Sequence, residues 1–559
     1  MRDEAKDSKA METKVERYEV ASDHETGIVK PVQESGAMGT VTMTDLNEIF
    51  LIPSPSADPR DPLNMTRFRK ILFVVLLSIF SSLGLALVSG FGGLLVWYIP
   101  IYAAEGATYA DITALMTYPS MFMGVGNLVC MPLALAVGRR PIYLLSLLIL
   151  IASTVWAAYA KNYDQHLGAR MFLGFAAGQS EALVPMMIQA SRSEIHFIHE
   201  RSTFLMWQSA TQTVLSAVLI ICASPIAGAI GPANWYNLGA GLCAVTFVAS
   251  VIWIPESRYD RSLTAYGQFS AEEGGELYGS RATAPQPVRL SERPALDTTK
   301  FLPRTVWSDM RLFVGKPDWM EGIYGFINTF QVMLFPNVLW AFCLNGLTIG
   351  VNIAIGTTYG NIVHAPPYNW SDSSVSYVNA GQIVVAFVAL PLLGNGSDAI
   401  IKWRARRNGG VHEPENRLLL LWIPLLCGCL AATLYGVAAQ NPDNYHWFVY
   451  VFANAGYYFA FVGANIAAIT YLLDSYPARA GPILVVITAL RGFVSFGTSY
   501  GVAKFIETDG YDGTFGAYAG LTALFGLLGI PIFFYGKKIR AFTGRYAMKK
   551  RSGHPSMSR

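Results

Sequence analysis

The sequence predicts an all-α membrane protein with twelve transmembrane helices arranged as two pseudo-symmetric six-helix bundles. Of its 559 residues, 52% are hydrophobic and only 14% are charged, whereas an average soluble protein is about 25% charged. Long stretches hold no Asp, Glu, Lys or Arg, and about 20 apolar residues suffice to cross a bilayer. Such spans must be helical, because lipid offers the backbone no hydrogen-bond partners.

The apolar stretches place the spans in order along the chain. The charge-free run 202–255 is long enough for two spans, and the turn sequence GPAN at 231–234 divides it. The first six predicted spans cover 71–98, 112–137, 141–160, 167–190, 203–230 and 235–254. The last six cover 333–358, 374–396, 418–439, 446–472, 481–504 and 514–536.

The basic residues of the short loops favour one orientation. With the N-terminus in the cytosol, nearly all of them fall on the cytosolic side, and the other side holds little beyond Lys161 and Lys504. An even number of spans then leaves both termini in the cytosol. We call this predicted cytosolic side the inner side throughout, and we expect the protein in the plasma membrane.

Polar segments divide the chain into five predicted regions. A long polar insert separates the two sets of six spans, and its aromatic later part is expected to lie along the inner membrane surface. The regions are a disordered cytosolic N-terminal tail (1–66), an N-terminal bundle (67–255), a cytosolic linker (256–330), a C-terminal bundle (331–538) and a basic cytosolic tail (539–559). Two bundles with a linker between them suggest a substrate site near the membrane midplane.

Several function classes find no support in the sequence. All six cysteines fall inside predicted spans, which argues against disulfides and zinc. No phosphate-binding loop is present, so ATP-driven pumping is unsupported. No catalytic or metal-binding constellation stands out, so we expect no enzyme activity, no cofactor and no metal. The net charge of +3 gives no sign of nucleic-acid binding.

One loop resembles a known signature. VGRRPIYL at 137–144 follows span two, and Gly138, Arg139 and Arg140 match the end of the loop G-x-x-x-D-R-x-G-R-R of the major facilitator superfamily. The first half of that loop is missing here. After span eight, Gly394 and Asp398 match its G-x-x-x-D spacing. The resemblance implies a gating role for Arg139, Arg140 and Asp398.

Further stretches narrow the resemblance. Span four carries R-x-x-x-G-x-x-x-G, and SPIAGA at 224–229 keeps part of the antiporter signature G-P-x-x-G-G. Together with IPESRYDR, APPYNWSDSSV, RRNGGVHEPENRL and YLLDSYP, they resemble the fungal twelve-span drug/proton antiporter-like group, which includes the yeast polyamine and histidinol transporter. The resemblance implies the major facilitator fold and a monomer that moves a small organic molecule by proton-coupled alternating access. Efflux of a toxic or secondary metabolite is favoured. Uptake of an organic cation such as a polyamine is the alternative, and a non-transporting sensor is a weaker one.

Glu181 is the leading candidate for proton coupling. It lies near the middle of span four, where a charged side chain costs about 3 kcal/mol and must face protein or water. Arg170, which we include with Glu181 as a proton-coupling candidate, lies eleven residues earlier, on almost the same helix face and roughly 16 Å away along the axis. We therefore expect the two side chains to line one face without touching. The alternative reading of Glu181 is a structural hydrogen-bonding residue that ties helices together.

Other intramembrane polar and aromatic residues could bind substrate or merely join helices. They are Gln179, Gln208, Gln212, Asn345, Asn352, Gln382, Tyr457, Tyr458 and Asn465. Near the inner ends of spans ten and eleven, Asp474 and Arg491 are expected to form a gating or structural pair. Asn369 begins a glycosylation sequon on the predicted outer side.

Overall fold

The computed structural model describes residues 50–51, 57–189, 198–257, 288–289, 299, 303–313, 317–407, 413–476 and 480–548. Most of the predicted N-terminal tail lies outside these residues. A short antiparallel pair joins β1 (Phe50–Leu51) to β2 (Val288–Arg289). Everything else of regular structure in the described chain is helical.

The helices of the first half follow the predicted spans closely. A 3₁₀ turn, Gly90–Gly93, separates α1 from α2, and single residues separate α5 from α6 and α7 from α8. The helices are α1 (Arg67–Ser89), α2 (Leu95–Ala104), α3 (Tyr109–Val137), α4 (Arg139–Ala158), α5 (Tyr163–Ala177), α6 (Gln179–Gln189), α7 (Ile198–Ile221), α8 (Ala223–Ile230) and α9 (Pro232–Trp253). Spans four and five thus each consist of two consecutive helices.

The linker and the second half contain the remaining helices. They are α10 (Val306–Asp309), α11 (Trp319–Met333), α12 (Pro336–His364), α13 (Ala380–Arg407), α14 (Trp422–Gln440), α15 (Phe448–Ser475), α16 (Ala480–Tyr500), α17 (Val502–Leu527) and α18 (Gly529–Met548). Within α17 the backbone reverses at Gly510, whose φ is +71°. Span eleven therefore ends at this glycine, and span twelve runs from it through α18.

Twelve spans account for the described helices other than the linker helices α10 and α11. Among the described residues, eleven helical segments are long and apolar enough to cross a membrane. One of these, Val502–Thr543, includes span twelve. We assign α13, with 28 residues and an apolar first half, as span eight. The protein is a multi-pass, all-α membrane protein.

Three predicted boundaries differ from the ends of the helices. The segment 394–398, read as a loop after span eight, lies inside the continuous helix α13. The predicted basic tail begins as packed helix, because Arg540 is buried against Glu415 with an Nη2–Oε2 distance of 2.7 Å. The predicted border between residues 330 and 331 falls within α11.

Each half has its own hydrophobic core. One continuous cluster fills the first half, from Phe73 on α1 to Ile254 after α9. Two clusters fill the second half, one around Tyr435 and Phe515 and one around Tyr471. Leu484 at the start of α16 belongs to the cluster of the first half, so the halves also pack against each other near the inner side.

The outer ends of the two halves are in close contact. We call these contacts the outer seam. The Ser224 and Ser376 hydroxyls lie 2.6 Å apart, and the Tyr109 hydroxyl donates to the Thr357 carbonyl at 3.0 Å. A Cβ on Gly92 would lie 2.7 Å from the Gly356 carbonyl oxygen. The described conformation is therefore closed on the outer side.

Candidate coupling and substrate site

Glu181 forms an ion pair with Arg491 between the two halves. Glu181 lies on α6 in the first half, and Arg491 lies on α16 in the second. Arg491 also donates from Nη1 to Asn465 Oδ1 on α15 at 2.8 Å. The Arg491 side chain is 2% exposed and that of Glu181 is 13% exposed. A largely buried carboxylate thus meets a fully buried cation across the interface that alternating access would have to open.

Small residues bring span four close to α3 and so place Glu181. A Cβ on Gly174 would lie 2.3 Å from the Pro119 carbonyl oxygen, and one on Gly178 would lie 2.4 Å from that of Met123. Gly178 also separates α5 from α6, and its carbonyl accepts the Glu181 N–H at 3.1 Å. The R-x-x-x-G-x-x-x-G pattern is therefore a packing surface for α3.

Arg170 is fully buried and bonded to backbone carbonyls rather than to an acid. Its guanidinium donates to the carbonyls of Leu115 at 2.6 Å, Leu87 at 3.1 Å and Val88 at 2.7 Å. The last two belong to the final turn of α1, where carbonyls have no partner within the helix. The side chain also lies 4.3 Å from the ring centre of Phe91. Arg170 and Glu181 have separate partners, and this geometry favours a structural role for Arg170.

A chain of hydrogen bonds extends from Arg170 towards the outer side. Arg170 Nη1 donates to the Tyr236 hydroxyl at 3.1 Å, and that hydroxyl lies 3.0 Å from His166 Nε2. His166 Nδ1 lies 2.7 Å from the Tyr102 hydroxyl. Either neutral tautomer of His166 is compatible with these two contacts, because each tyrosine hydroxyl can donate or accept. Arg170 therefore orders a buried polar network.

Two predicted substrate residues share the face of α12 that meets the first half. Asn345, Asn352 and Gly356 follow one another at seven and four residues, which keeps them on one side of a helix. A Cβ on Gly356 would lie 2.6 Å from the Met116 side chain on α3. The Asn345 amide donates to Ala341, whereas its buried Oδ1 and that of Asn352 have no hydrogen-bond partner. Each unsatisfied buried acceptor costs about 1–3 kcal/mol.

Two further groups lie at the same interface. Tyr458 on α15 lies close to Thr213 on α7, so this aromatic residue faces the other half. It is seven residues from Asn465 and therefore on the same helix face. On α16, Ser495 lies one turn beyond Arg491, and its buried hydroxyl has no partner. Asn465 thus binds Arg491 directly, and Tyr458, Asn345 and Asn352 lie on helix faces of the second half that meet the first half.

The structure places the other predicted substrate residues elsewhere. Gln179 is two residues from Glu181, about 200° around α6, and neither of its buried amide atoms has a partner. Gln208 donates to Gln212 at 2.6 Å, so these amides satisfy each other. Tyr457 lies in the core of the second half, 3.2 Å from the Thr522 hydroxyl.

Gln382 is part of a polar network within the second half. Its amide donates to Asn379 Oδ1 at 3.2 Å. Asn379 donates to the Tyr359 hydroxyl at 3.0 Å, and Asn454 donates to Asn379 at 3.0 Å. These side chains join α12, the start of span eight and α15, which favours a packing role.

The predicted gating pair is wrong. Arg491 bonds Glu181 and Asn465, whereas Asp474 pairs with Arg417, its Oδ2 2.5 Å from Nε. The two residues are close in sequence, but α16 carries Arg491 to the interface between the halves. The side chain of Asp398 lies outside the described residues, so its gating role stays a prediction.

A carboxylate that the sequence analysis did not single out organises the loop before α4. Glu256 accepts the backbone N–H groups of Arg139 at 3.2 Å and Arg140 at 3.1 Å. Gly138 precedes them with φ +123°, and a Cβ there would lie 2.7 Å from the Glu256 carboxylate. The Arg140 guanidinium donates to the carbonyls of Asp309, Arg311 and Val251. Glu256 lies in the stretch IPESRYDR, which the sequence analysis quoted. Nothing in the sequence indicates that its carboxylate binds the backbone at the start of α4.

The sequon residue Asn369 is exposed in the loop after α12, with φ +51°. Its use as a glycosylation site stays a prediction. Among the described residues, no group of three His, Cys, Asp or Glu side chains could hold a metal ion.

The fold and the paired charges between its halves define a membrane transporter. A family model described as Major Facilitator Superfamily matches residues 82–496. The chain belongs to the major facilitator superfamily.

Relatives and a solved structure are consistent with this assignment. An uncharacterized MFS-type transporter of Schizosaccharomyces pombe is 24% identical, over 93% of this chain and 92% of that protein. Protein HOL1 of Saccharomyces cerevisiae is 23% identical, over 90% and 92%. The MFS-type efflux pump MFS2 of Trichophyton rubrum is 24% identical, over 88% and 76%. The xylose transporter XylE from E. coli, partially occluded and inward open, has a TM-score of 0.53 and 12% identity, covering 83% of this chain and 97% of its own. That likeness shows the fold.

Proposed function

We propose that this protein exports a small organic molecule, a toxic or secondary metabolite, in exchange for protons. The observation that carries the proposal is the Glu181–Arg491 ion pair between the two halves. Several relatives bear the name efflux pump, which supports export. We further propose a monomer in the plasma membrane with both termini in the cytosol.

The ion pair suggests how a proton could drive the conformational change. Protonation of Glu181 removes the negative partner of Arg491 and leaves the cation with Asn465. Removing one partner of a buried pair costs about 3–5 kcal/mol. Separation of the halves would let water reach the guanidinium and relieve that cost. Proton binding and opening of the interface are therefore linked through one pair of side chains.

The substrate is proposed to bind beside this pair. Asn465 binds Arg491, and Asn345, Asn352 and Tyr458 lie on faces of α12 and α15 that meet the first half. Opening of the interface would expose the unsatisfied amide oxygens of Asn345 and Asn352 to a substrate or to water. A substrate that donates hydrogen bonds would satisfy them, which favours binding there over an empty, dry site.

A charge-neutralising substitution tests the proposal. In vesicles with an imposed pH gradient, Glu181→Gln should abolish proton-driven movement of a dye such as rhodamine 6G while the protein still reaches the membrane. Asp443→Asn, at an exposed position of the loop after α14, is the matched control and should transport normally. Unchanged proton-driven flux in Glu181→Gln would rule out this residue as the coupling group.

Uptake of an organic cation such as a polyamine is the second candidate. The unpartnered oxygens of Asn345 and Asn352 favour it, because ammonium groups donate hydrogen bonds and accept none. Direction is decided in cells that overproduce the protein. Export predicts dye resistance and a lower internal dye concentration; uptake predicts faster accumulation of labelled spermidine.

A further inference from the structure

The linker helix α11 has two unlike faces. Its buried face consists of small and medium side chains: Gly322, Gly325, Thr329 and Val332. This face rests on the inner end of α3, where a Cβ on Gly322 would lie 2.9 Å from both the Pro132 carbonyl oxygen and the Ala136 Cβ. The Asp318 N–H donates to the Ala136 carbonyl at 2.9 Å. The glycines thus let α11 lie directly against the backbone of α3.

The same helix also packs against α16 in the other half. Helices α3 and α16 are the pair through which the two halves meet along the middle of the molecule. α11 therefore bridges this pair near its inner end, without belonging to either six-helix bundle.

A second face of α11 is apolar and exposed. Trp319 is 58% exposed, Ile323 52% and Phe330 45%, and Phe326 lies between them on the same face. The only charged residue within α11 is Glu321. Exposing large apolar side chains to water is unfavourable in proportion to their area. Full exposure of this face to water would therefore be energetically unfavourable.

The chain connection places that face at the membrane. α11 ends at Met333, and the transmembrane helix α12 begins at Pro336. The C-terminal end of this face therefore lies next to the start of a membrane-spanning helix. Tryptophan at the end of an apolar helix face is typical of a membrane interface. The lipid of the inner leaflet is the partner with the matching chemistry.

The segment before α11 is held to the first half. Asp309 pairs with Arg69 on α1 and with Arg304, with N–O distances of 3.0 Å. Arg140 on α4 donates to the Asp309 carbonyl at 2.6 Å. These bonds tie the stretch around Asp309 to the first half.

We propose that α11 is an interfacial clamp. The inner leaflet binds its aromatic face, and its glycine face holds the inner ends of α3 and α16 together. α11 must slide along these helices before the inner side of the interface widens. This inference does not depend on proton coupling or on the substrate, and only its consequence for transport rests on the proposed function.

The lipid contact is tested with a fluorophore on single cysteines, after the native cysteines are replaced by alanine. Ile323→Cys labelled with bimane should be quenched by brominated lipid in nanodiscs as strongly as Leu430→Cys, a 72% exposed residue of the membrane helix α14. Asp443→Cys is the water-exposed reference. Quenching of Ile323→Cys by aqueous iodide but not by brominated lipid would overturn the lipid assignment.

The clamp is tested by filling its glycine face. Gly322→Leu should raise the rate at which an impermeant maleimide labels Leu484→Cys from the inner side. The rate should rise about tenfold for each 1.4 kcal/mol by which the substitution destabilises the closed state relative to the open state. Gly241→Leu on α9, where a Cβ would meet nothing within 4 Å, is the matched control. Gly322→Ala provides a milder variant should the larger one fail to fold. Equal labelling rates in folded Gly322 variants and the parent would overturn the clamp.

Discussion

Gly124 on α3 and Gly492 on α16 bring the backbones of the two halves into contact. A Cβ on Gly124 would lie 2.4 Å from the Ala489 carbonyl oxygen, and one on Gly492 would lie 2.7 Å from that of Ser120. Carbon atoms cannot approach an oxygen so closely without displacement of a helix. The closed interface therefore requires the absence of side chains at both positions.

We predict that Gly492→Val prevents full closure and reduces transport at least tenfold, while the protein still inserts in the membrane. Gly497→Val on the same helix is the control, because a Cβ there would meet nothing within 4 Å. Dye efflux from cells with matched protein levels measures the difference. Equal efflux from the two variants would contradict the requirement for contact at Gly492.

The outer seam can be locked covalently. The Ser224 and Ser376 hydroxyls are in hydrogen-bond contact, so a Ser224→Cys/Ser376→Cys double variant should form a disulfide under mild oxidation. We expect transport to stop on oxidation and to return on reduction. Mass spectrometry of the digested protein detects the crosslink, and each single variant serves as control. Full transport by the crosslinked protein would show that this seam need not open.

Glu256 should stabilise the start of α4. Its carboxylate accepts two backbone N–H groups at the positive end of the helix. We expect Glu256→Gln to cost about 1 kcal/mol, seen as a lower melting temperature in detergent. Glu507→Gln, at an exposed position, should melt like the parent protein. A Glu256 variant as stable as that control would argue against the capping role.

Arg170 should affect stability and not the pH dependence of transport. A lysine cannot reproduce its several directed hydrogen bonds, so the last carbonyls of α1 would lose their donors. We expect Arg170→Lys to lower stability by about 2–3 kcal/mol. Thermal unfolding measures this loss, and flux at several pH values tests coupling. A shift in the pH dependence of transport in this variant would instead show that Arg170 takes part in proton coupling.

Hydropathy located the spans well because a bilayer requires long apolar helices whatever their partners. It failed where packing decides the outcome. Gly394 to Asp398 were interpreted as part of a loop after span eight, yet α13 continues through them. A helix can do so because each glycine costs only about 1 kcal/mol relative to alanine. Burial of Arg540 likewise depends on Glu415, which lies 125 residues away in the chain.

The sequence indicated the individual charged residues of the candidate site but not which of them form a pair. Glu181 and Arg491 both stood out as charges within apolar helices. Their pairing needs the two halves to meet, and no local pattern encodes a contact between span four and span eleven. Sequence proximity suggested Asp474 as the partner of Arg491 instead. The chain of Arg170, Tyr236 and His166 escaped detection for the same reason.

The outer seam joins neutral groups in the contacts described: serine hydroxyls, a tyrosine hydroxyl and glycine backbones. Such contacts are indifferent to ionic strength and move no charge through the membrane voltage when they separate. The Glu181–Arg491 pair, in contrast, changes its net charge with each proton. External salt should therefore leave outer opening unaffected, and any voltage sensitivity of transport should originate in the middle of the molecule.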